Sequence, residues 1–140
     1  ELYEVYTVRA ALESLAARLA VEQLTEDDVR VLEDTLDEMI RAAQEQDEAQ
    51  MVRLDNRFHE TIMQISDNQL LYQLWQTLQF GYWTIVTARS SSYNLVELAR
   101  RHETLLAALA SRDPQQAAAA MQHHIEDLGK PPDNLDGDHD

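Results

Sequence analysis

The sequence predicts an all-α fold, a bundle of about six helices. Glycine and proline, which disfavour helix interiors, occur only 3 times each in 140 residues, whereas Ala, Leu, Glu and Gln are abundant. Apolar residues also recur three and four positions apart along most of the chain, the spacing of one helix face. The predicted helices cover residues 2–23, 25–43, 47–65, 69–89, 93–111 and 114–128.

Composition excludes several classes of protein before any motif is considered. Cysteine is absent, so disulfides and thiolate metal sites are impossible. No apolar run approaches the roughly 20 residues of a membrane span, and no signal peptide precedes the first helix, which favours a cytoplasmic protein. A net charge of −15 makes this domain a poor direct partner for nucleic acid. Because the chain starts at Glu1, we expect it to be a piece of a longer protein.

The first two helices are amphipathic. The inward stripe of the first carries one arginine among apolar residues: Leu2, Val5, Arg9, Leu12, Ala16 and Leu19. Thr25 is a good N-cap, and the acids that follow it suit the first turn of the second helix. The stripe of that helix is Val29, Leu32, Leu36, Met39 and Ala43.

The third and fourth helices carry polar groups on their predicted inner faces. In the third, Asp55 and His59 lie four residues apart and therefore share one face. The fourth helix is the most aromatic, and Gly81 inside it suggests a tight contact or space for a ligand. Its predicted inward stripe is Leu71, Trp75, Leu78, Tyr82, Ile85 and Arg89, with Trp83 close by.

The last two helices each contribute one inward histidine. His102 lies on the stripe of the fifth helix, and His124 lies on that of the sixth. Asp113 and Pro114 form a favourable N-cap and first position for the sixth helix. The neighbouring His123 is rotated by about 100° and is predicted to face solvent.

Asp55, His59, His102 and His124 are candidate metal ligands. A lone histidine on an apolar stripe is usually a core residue with a satisfied hydrogen bond. Burying three with an aspartate in so small a domain is costly unless something pairs with them, and a divalent cation does so directly. Three imidazoles and one carboxylate suit one Zn, Ni, Mn or Fe(II) ion per chain.

The spacing of these residues resembles a known family. Asp55-x3-His59, then His102 and His124 within "RHETLLAALASRDPQQAAAAMQHHIED", are similar to the FCD domain, the ligand-sensing domain of FadR-type GntR transcription regulators. "YEVYTVRAALESLAARLA" resembles the first helix of that domain. The resemblance covers residues 2–128, and six helices favour the VanR-like branch.

The resemblance implies an antiparallel bundle with an internal cavity, in which the metal ion binds a small carboxylate effector. It also implies a homodimer and an N-terminal winged helix-turn-helix domain, outside this chain, through which alone the protein would contact DNA. Residues 1–128 would be the effector-binding and dimerisation domain, and 129–140 an acidic, disordered tail. Arg9 matches an effector-contacting arginine of the family. Periodicity adds Arg89, Tyr82 and Trp83 as candidate effector contacts.

Two alternatives remain at this stage. The first is a metal-dependent hydrolase in a helical bundle, because an open coordination position can activate water. The Glu-x-x-His pair of di-iron bundles and the HExxH motif are absent from the sequence. The second is a structural dimerisation module with a closed metal site.

Overall fold

The structure is a computed structural model that describes residues 2–78 and 80–129. These residues contain eight α-helices and no β-strand. The all-α prediction is confirmed. The helices are α1 (Leu2–Val21), α2 (Glu26–Gln44), α3 (Glu48–Ile65), α4 (Gln69–Thr77), α5 (Phe80–Ser90), α6 (Leu95–Arg100), α7 (His102–Ala110) and α8 (Pro114–Gly129).

Side-chain caps begin the helices at the turns that the sequence predicts. Thr25 accepts a hydrogen bond from the Asp28 amide while the Asp28 carboxylate accepts one from the Thr25 amide, which completes a capping box. Asp47 caps α3 and Asn68 caps α4, each with a side-chain oxygen that accepts a hydrogen bond from a backbone amide in the first turn of the helix. These caps satisfy N–H groups that have no partner within the helix.

Close packing of α1 against α8 is the most extensive helix contact, and small residues permit it. Ala10, Ala16, Ala17 and Ala20 are buried along α1. At the end of α8, a Cβ added to Gly129 would lie 2.3 Å from the Cβ of Tyr6. The backbones of α1 and α8 therefore lie close together.

The predicted fourth helix is divided into α4 and α5, and the interior placement predicted for its second half is wrong. Leu78 caps the C-terminus of α4, and α5 begins at Phe80. The buried residues of α5 are Phe80, Thr84 and Thr87. The predicted stripe assumed one continuous helix, so the division changes which residues face inward. Leu78, Tyr82, Ile85 and Arg89 are all exposed.

The predicted fifth helix is also divided, at Arg101, but its inward face is kept. Leu98, His102, Leu105 and Leu109 are all buried. Because the six-helix count does not hold among the described residues, assignment to the VanR-like branch stays a prediction. The predicted domain boundary at residue 128 also stays a prediction. Helix α8 extends to Gly129, and residues 130–140 of the predicted tail lie outside the described residues.

Gly81 lies at a tight helix contact, one of the two roles predicted for it. A Cβ at this position would lie 2.9 Å from the side-chain amide nitrogen of Asn56 on α3.

None of the helices in residues 2–78 and 80–129 combines the length and the apolar character that crossing a membrane requires.

Candidate metal and effector site

Helix α3 places Asp55 and His59 side by side. Asp55 Oδ1 lies 3.2 Å from His59 Nε2, the distance expected for neighbours four residues apart on one helix face. His59 is buried, and the Asp55 side chain is 14% exposed. The pair predicted from the sequence therefore faces the interior of the bundle.

His102, the first residue of α7, meets the same carboxylate. Its Nε2 lies 3.2 Å from Asp55 Oδ1, and its Nδ1 lies 3.1 Å from the carbonyl oxygen of Ala99. Since a carbonyl only accepts hydrogen bonds, Nδ1 is the donor and carries the proton. A neutral His102 therefore presents the lone pair of Nε2 to Asp55.

His124 on α8 completes the cluster. One ligand atom from each of His59, His102 and His124 lies within 4.8 Å of the other two, and all three residues are buried. The rings of His102 and His124 meet edge to face, with centroids 4.5 Å apart. The adjacent His123 is exposed, as predicted. Residues from three helices, α3, α7 and α8, are thus brought close together.

The donor set of this cluster fits a divalent metal ion. His59 Nδ1 lies 2.5 Å from a carboxylate oxygen of Glu13, so His59, like His102, turns its Nε2 toward Asp55 Oδ1. With both rings neutral, the two Nε2 lone pairs and the carboxylate oxygen would repel one another, and either a proton on Nε2 or a divalent cation among them would remove that repulsion. Ligand atoms bound to one ion at about 2.0–2.1 Å are roughly 2.9–3.4 Å apart in tetrahedral or octahedral geometry, which matches the 3.2 Å separations.

Glu13 on α1 supports the cluster, although its place at the site is not predicted from the sequence. Its carboxylate bonds His59 Nδ1 at 2.5 Å, accepts from Arg9 Nε at 2.6 Å and accepts from Trp75 Nε1 at 3.0 Å. A carboxylate on the far nitrogen of a metal-binding histidine fixes the ring and its tautomer. The detectable signal was the spacing of Arg9 and Glu13, four residues apart on one helix face.

The electrostatics of the cluster follow from its burial and its charges. Burial alone would raise the pKa of Glu13, but Arg9 and His59 lower it to about 2. Burial disfavours the imidazolium of His59, yet Glu13 and Asp55 raise its pKa to about 9. Burial and the neighbouring His102 and His59 hold the pKa of His124 well below its usual range. The cluster therefore holds positive charge beside Glu13 and Asp55 and disfavours it at His124.

A small cavity of about 20 Å³ lies at the cluster, whose four residues form part of its wall. Its polar wall includes Tyr6 and Arg9 of α1 and Thr84 and Thr87 of α5. The Tyr6 hydroxyl lies 2.6 Å from Thr87 Oγ1, and Arg9 Nη1 donates to Thr84 Oγ1 at 3.3 Å. The remaining lining residues are Met51, Val52, Asp55, His59, Ala88, Leu98, Arg101, His102, His124, Ile125 and Leu128. Of these polar residues, the sequence pattern predicts Arg9 but not Tyr6, the two threonines or Arg101.

Of the four predicted effector contacts, only Arg9 lies in this cavity. Tyr82 is 62% exposed, and the Arg89 side chain is 69% exposed and pairs with Glu48 at 2.9 Å. Trp83 is half-buried outside the lining, and its backbone carbonyl accepts a hydrogen bond from the Tyr6 hydroxyl. The interior positions predicted for Tyr82 and Arg89 are wrong because α5 turns its threonines inward.

Comparison with known proteins decides the family. The model of the FCD domain matches residues 4–127. The chain belongs to the FCD domain family. It is 28% identical over 127 residues to a probable D-xylose utilization operon transcriptional repressor of Paenarthrobacter nicotinovorans, covering 89% of this chain and 55% of that protein. It is 29% identical over 127 residues to the HTH-type transcriptional repressor RspR of Escherichia coli, and this match covers 88% of this chain and 54% of that protein.

A solved structure supports the same assignment. Escherichia coli McbR/YncC superimposes with a TM-score of 0.74 at 26% identity, over 89% of this chain and 62% of that one. These homologues of the FCD chain are GntR-family transcriptional regulators and not enzymes, which removes the hydrolase alternative. The FCD chain spans about half the length of the curated relatives it matches.

Replacing Glu13 by Gln should destabilise the domain and weaken its hold on a divalent metal. Removing one partner of a buried ion pair costs about 3–5 kcal/mol, because Arg9 would keep an uncompensated charge. Loss of the carboxylate behind a metal-binding histidine typically lowers metal affinity by about 10–100-fold. Denaturant unfolding and competitive zinc titration measure the two effects.

Glu22→Gln, an exposed change just after the same helix, is the matched control and should alter neither quantity. A Glu13→Gln protein with wild-type stability and wild-type zinc affinity would contradict this role for Glu13.

Proposed function

We propose that this FCD domain is the effector-binding domain of a cytoplasmic GntR-type transcription regulator. It holds one divalent metal ion and binds a small organic acid, which modulates DNA binding by an N-terminal domain outside this chain. The observation that carries the proposal is the convergence of Asp55 and three histidines on a cavity that Arg9 also lines. The family assignment supplies the regulatory context.

Asp55, His59, His102 and His124 would hold the metal. Nitrogen and carboxylate ligands suit Zn, Ni, Mn or Fe(II), and four protein ligands leave room for a further one on ions that accept five or six. When bound, the metal supplies a Lewis-acidic site for a carboxylate oxygen. The donor arrangement described above supports this assignment, since His59 and His102 both bond an acceptor through Nδ1 and turn Nε2, the nitrogen left to bind a metal, toward Asp55.

The charge of the site favours an anionic effector. One aspartate and three neutral imidazoles leave a divalent ion with a net positive charge, and Arg9 adds a second cation in the same cavity. The described hydrogen bonds of Arg9 use its Nε and Nη1 atoms, which donate to Glu13, Thr84 and Tyr6. A carboxylate can bind a metal with one oxygen and accept a charge-assisted hydrogen bond from a guanidinium with the other.

Binding at this position would connect the effector to α1. Arg9 and Glu13 lie on α1, and Glu13 bonds His59 of the metal cluster. An acid held by both Arg9 and the metal would therefore tie α1 to α3, α7 and α8. We propose that fixing α1 changes the spacing of two DNA-reading domains, which requires the acid to prefer one arrangement of α1 over another.

A second copy of the chain would dimerise on the exposed face of α4 and α5. Residues 68–88 include no charged residue, although the chain as a whole has a net charge of −15. Exposed leucines follow one another four residues apart on α4, at Leu70, Leu74 and its cap Leu78, and Tyr82 and Ile85 are exposed on α5. This face lets two acidic chains associate through apolar contact at their least repulsive surface.

The first prediction tests the metal site. Purified FCD domain should bind about one divalent ion per chain, and Asp55→Ala, His59→Ala, His102→Ala and His124→Ala should each lower that occupancy because each removes a ligand. His123→Ala is the matched control, since His123 is adjacent to His124 but exposed. Elemental analysis that finds no metal after refolding with Zn or Ni, or equal loss in the His123 variant, would refute the assignment.

The second prediction tests the acid. Arg9→Ala should leave metal content intact and weaken acid binding by about 1.5–3 kcal/mol, the typical contribution of a hydrogen bond to a charged group. Arg9→Lys keeps a charge beside Glu13 and should weaken binding less, while Arg18→Ala, exposed on the same helix, should have no effect. Calorimetric titration of metal-loaded protein with small carboxylic, hydroxy and sugar acids is the measurement.

Unchanged affinity in the Arg9→Ala protein, or undiminished affinity after the metal is stripped, would rule out this mode of binding. Stable metal binding without affinity for any acid would favour the structural alternative, a closed metal site.

The third prediction concerns the dimer. Leu74→Glu should weaken self-association by roughly 10–100-fold, the equivalent of about 1.5–3 kcal/mol for an apolar side chain that is buried in the interface. Val31→Glu is a matched control, because Val31 is exposed to a similar degree but lies on α2. Sedimentation equilibrium measures the association constant, and a wild-type domain that stays monomeric near 16.1 kDa at high concentration would refute the interface.

A further inference from the structure

Helix α5 forms one wall of the cavity, yet it is weakly anchored in the fold. Of its 11 residues, only Phe80, Thr84 and Thr87 are buried, so Phe80 is the one apolar side chain that it buries fully. Among the described helices, α5 packs extensively against α3 alone. Segments with few buried apolar contacts open locally at a lower free-energy cost than the rest of a fold. Of the cavity walls, α5 is therefore the one that separates most easily.

Hydrogen bonds from α1 hold α5 in place. The Tyr6 hydroxyl donates to the backbone carbonyl of Trp83 at 3.1 Å and lies 2.6 Å from Thr87 Oγ1. Arg9 Nη1 donates to Thr84 Oγ1 at the longer distance of 3.3 Å. Tyr6 itself is buried, so its two contacts with α5 are sheltered from competing water. The Tyr6 hydroxyl is therefore the principal polar link between α1 and α5.

The cavity is too small for an effector unless one of its walls moves. At about 20 Å³ it has room for roughly one water molecule, and an organic acid is several atoms larger. The metal-site residues lie on α3, α7 and α8, and the bond from Glu13 to His59 ties α1 to α3. Only a movement of α5 would enlarge the cavity without displacing the histidine cluster or its Glu13 support.

We propose that α5 is a lid, which lifts away from α3 to admit the effector and is latched shut by the Tyr6 hydroxyl. This inference rests on the proposed function, because it takes the cavity as the effector site. The exposed residues Tyr82 and Ile85 of α5 also belong to the proposed dimer contact. Movement of the lid therefore changes the surface that is presented to a second copy, which connects the effector site to the dimer.

Hydrogen exchange followed by mass spectrometry tests the lid without any ligand. Tyr6→Phe keeps the ring and removes the hydroxyl, so the amides of α5 should exchange roughly fivefold faster or more, the effect of losing one or two hydrogen bonds. Those of α3 and α8 should change by less than about twofold, because their packing is kept. Tyr3→Phe removes a hydroxyl from an exposed position of the same helix and is the matched control.

No acceleration in α5, or equal acceleration in α3, α5 and α8, would overturn the proposal. The first result would show that Tyr6 is not a latch, and the second that it only supports the fold as a whole.

A reversible crosslink supplies the opposite change. A Cβ at Gly81 would lie 3.6 Å from Asn56 Cγ, the place that a cysteine sulfur would take, so cysteines at both positions are within disulfide reach. The chain has no other cysteine. Oxidation of the Asn56→Cys/Gly81→Cys protein should slow exchange in α5 by roughly fivefold or more, and reduction should restore it. Equal exchange in the oxidised and reduced forms would show that α5 does not lift away from α3.

Access to the metal separates this inference from the proposed function. Release of zinc to excess EDTA, an acid far larger than the closed cavity, should be roughly fivefold faster in Tyr6→Phe and slower in the oxidised crosslinked protein. Zinc affinity should stay within about threefold of wild type, because no ligand is changed. If wild type binds no zinc, the proposed function is overturned while exchange still decides whether α5 is a lid. If zinc binds but all three proteins release it at the same rate, only the lid is overturned.

Discussion

The carboxylate of Glu13 is the interaction on which the interior of this FCD domain depends. It is buried and bonded to Arg9 of its own helix, His59 of α3 and Trp75 of α4. An isolated carboxylate in such a position would be too costly to keep ionised, and its three donors hold it in the charged form. Because those donors come from three helices, the bonds that stabilise the Glu13 carboxylate also fix the positions of α1, α3 and α4 around the histidine cluster.

Small residues on α1 make this arrangement possible. The buried alanines bring the α1 backbone close to α8, so Arg9 and Glu13 reach the centre of the bundle. On the other side, α5 presents Thr84 and Thr87 to the cavity, where their hydroxyls meet Arg9 and Tyr6. The polar groups of the site are thus held by one another before any ligand is considered, which is the usual requirement for a preorganised binding site.

Charged side chains are distributed unevenly in this domain. Positive side chains in the interior lie at the cavity, with Arg9 strongly paired and Arg101 weakly paired. The chain has a net charge of −15, whereas the sequence from Asn68 to Ala88, which covers α4 and most of α5, is uncharged. Because like charges repel, a net negative charge of this size disfavours contact with other acidic surfaces, including nucleic acid.

The sequence by itself determined the helical class, most helix ends, and the inward phase of Asp55, His59, His102 and His124, because each depends on spacing within one helix. Capping residues such as Thr25 and Asn68 and the 3.6-residue period are local signals. The interior positions predicted for Tyr82 and Arg89 are wrong because the 3.6-residue period was continued from α4 into α5. These are separate helices, so residues of α5 do not keep the orientation that a single helix would give them. Only the tertiary structure revealed Glu13 as the partner of His59 and Arg101 as part of the cavity wall. An acid or arginine in a helix has the same local sequence signal whether it faces water or a buried partner, and which of these it faces depends on how distant helices pack.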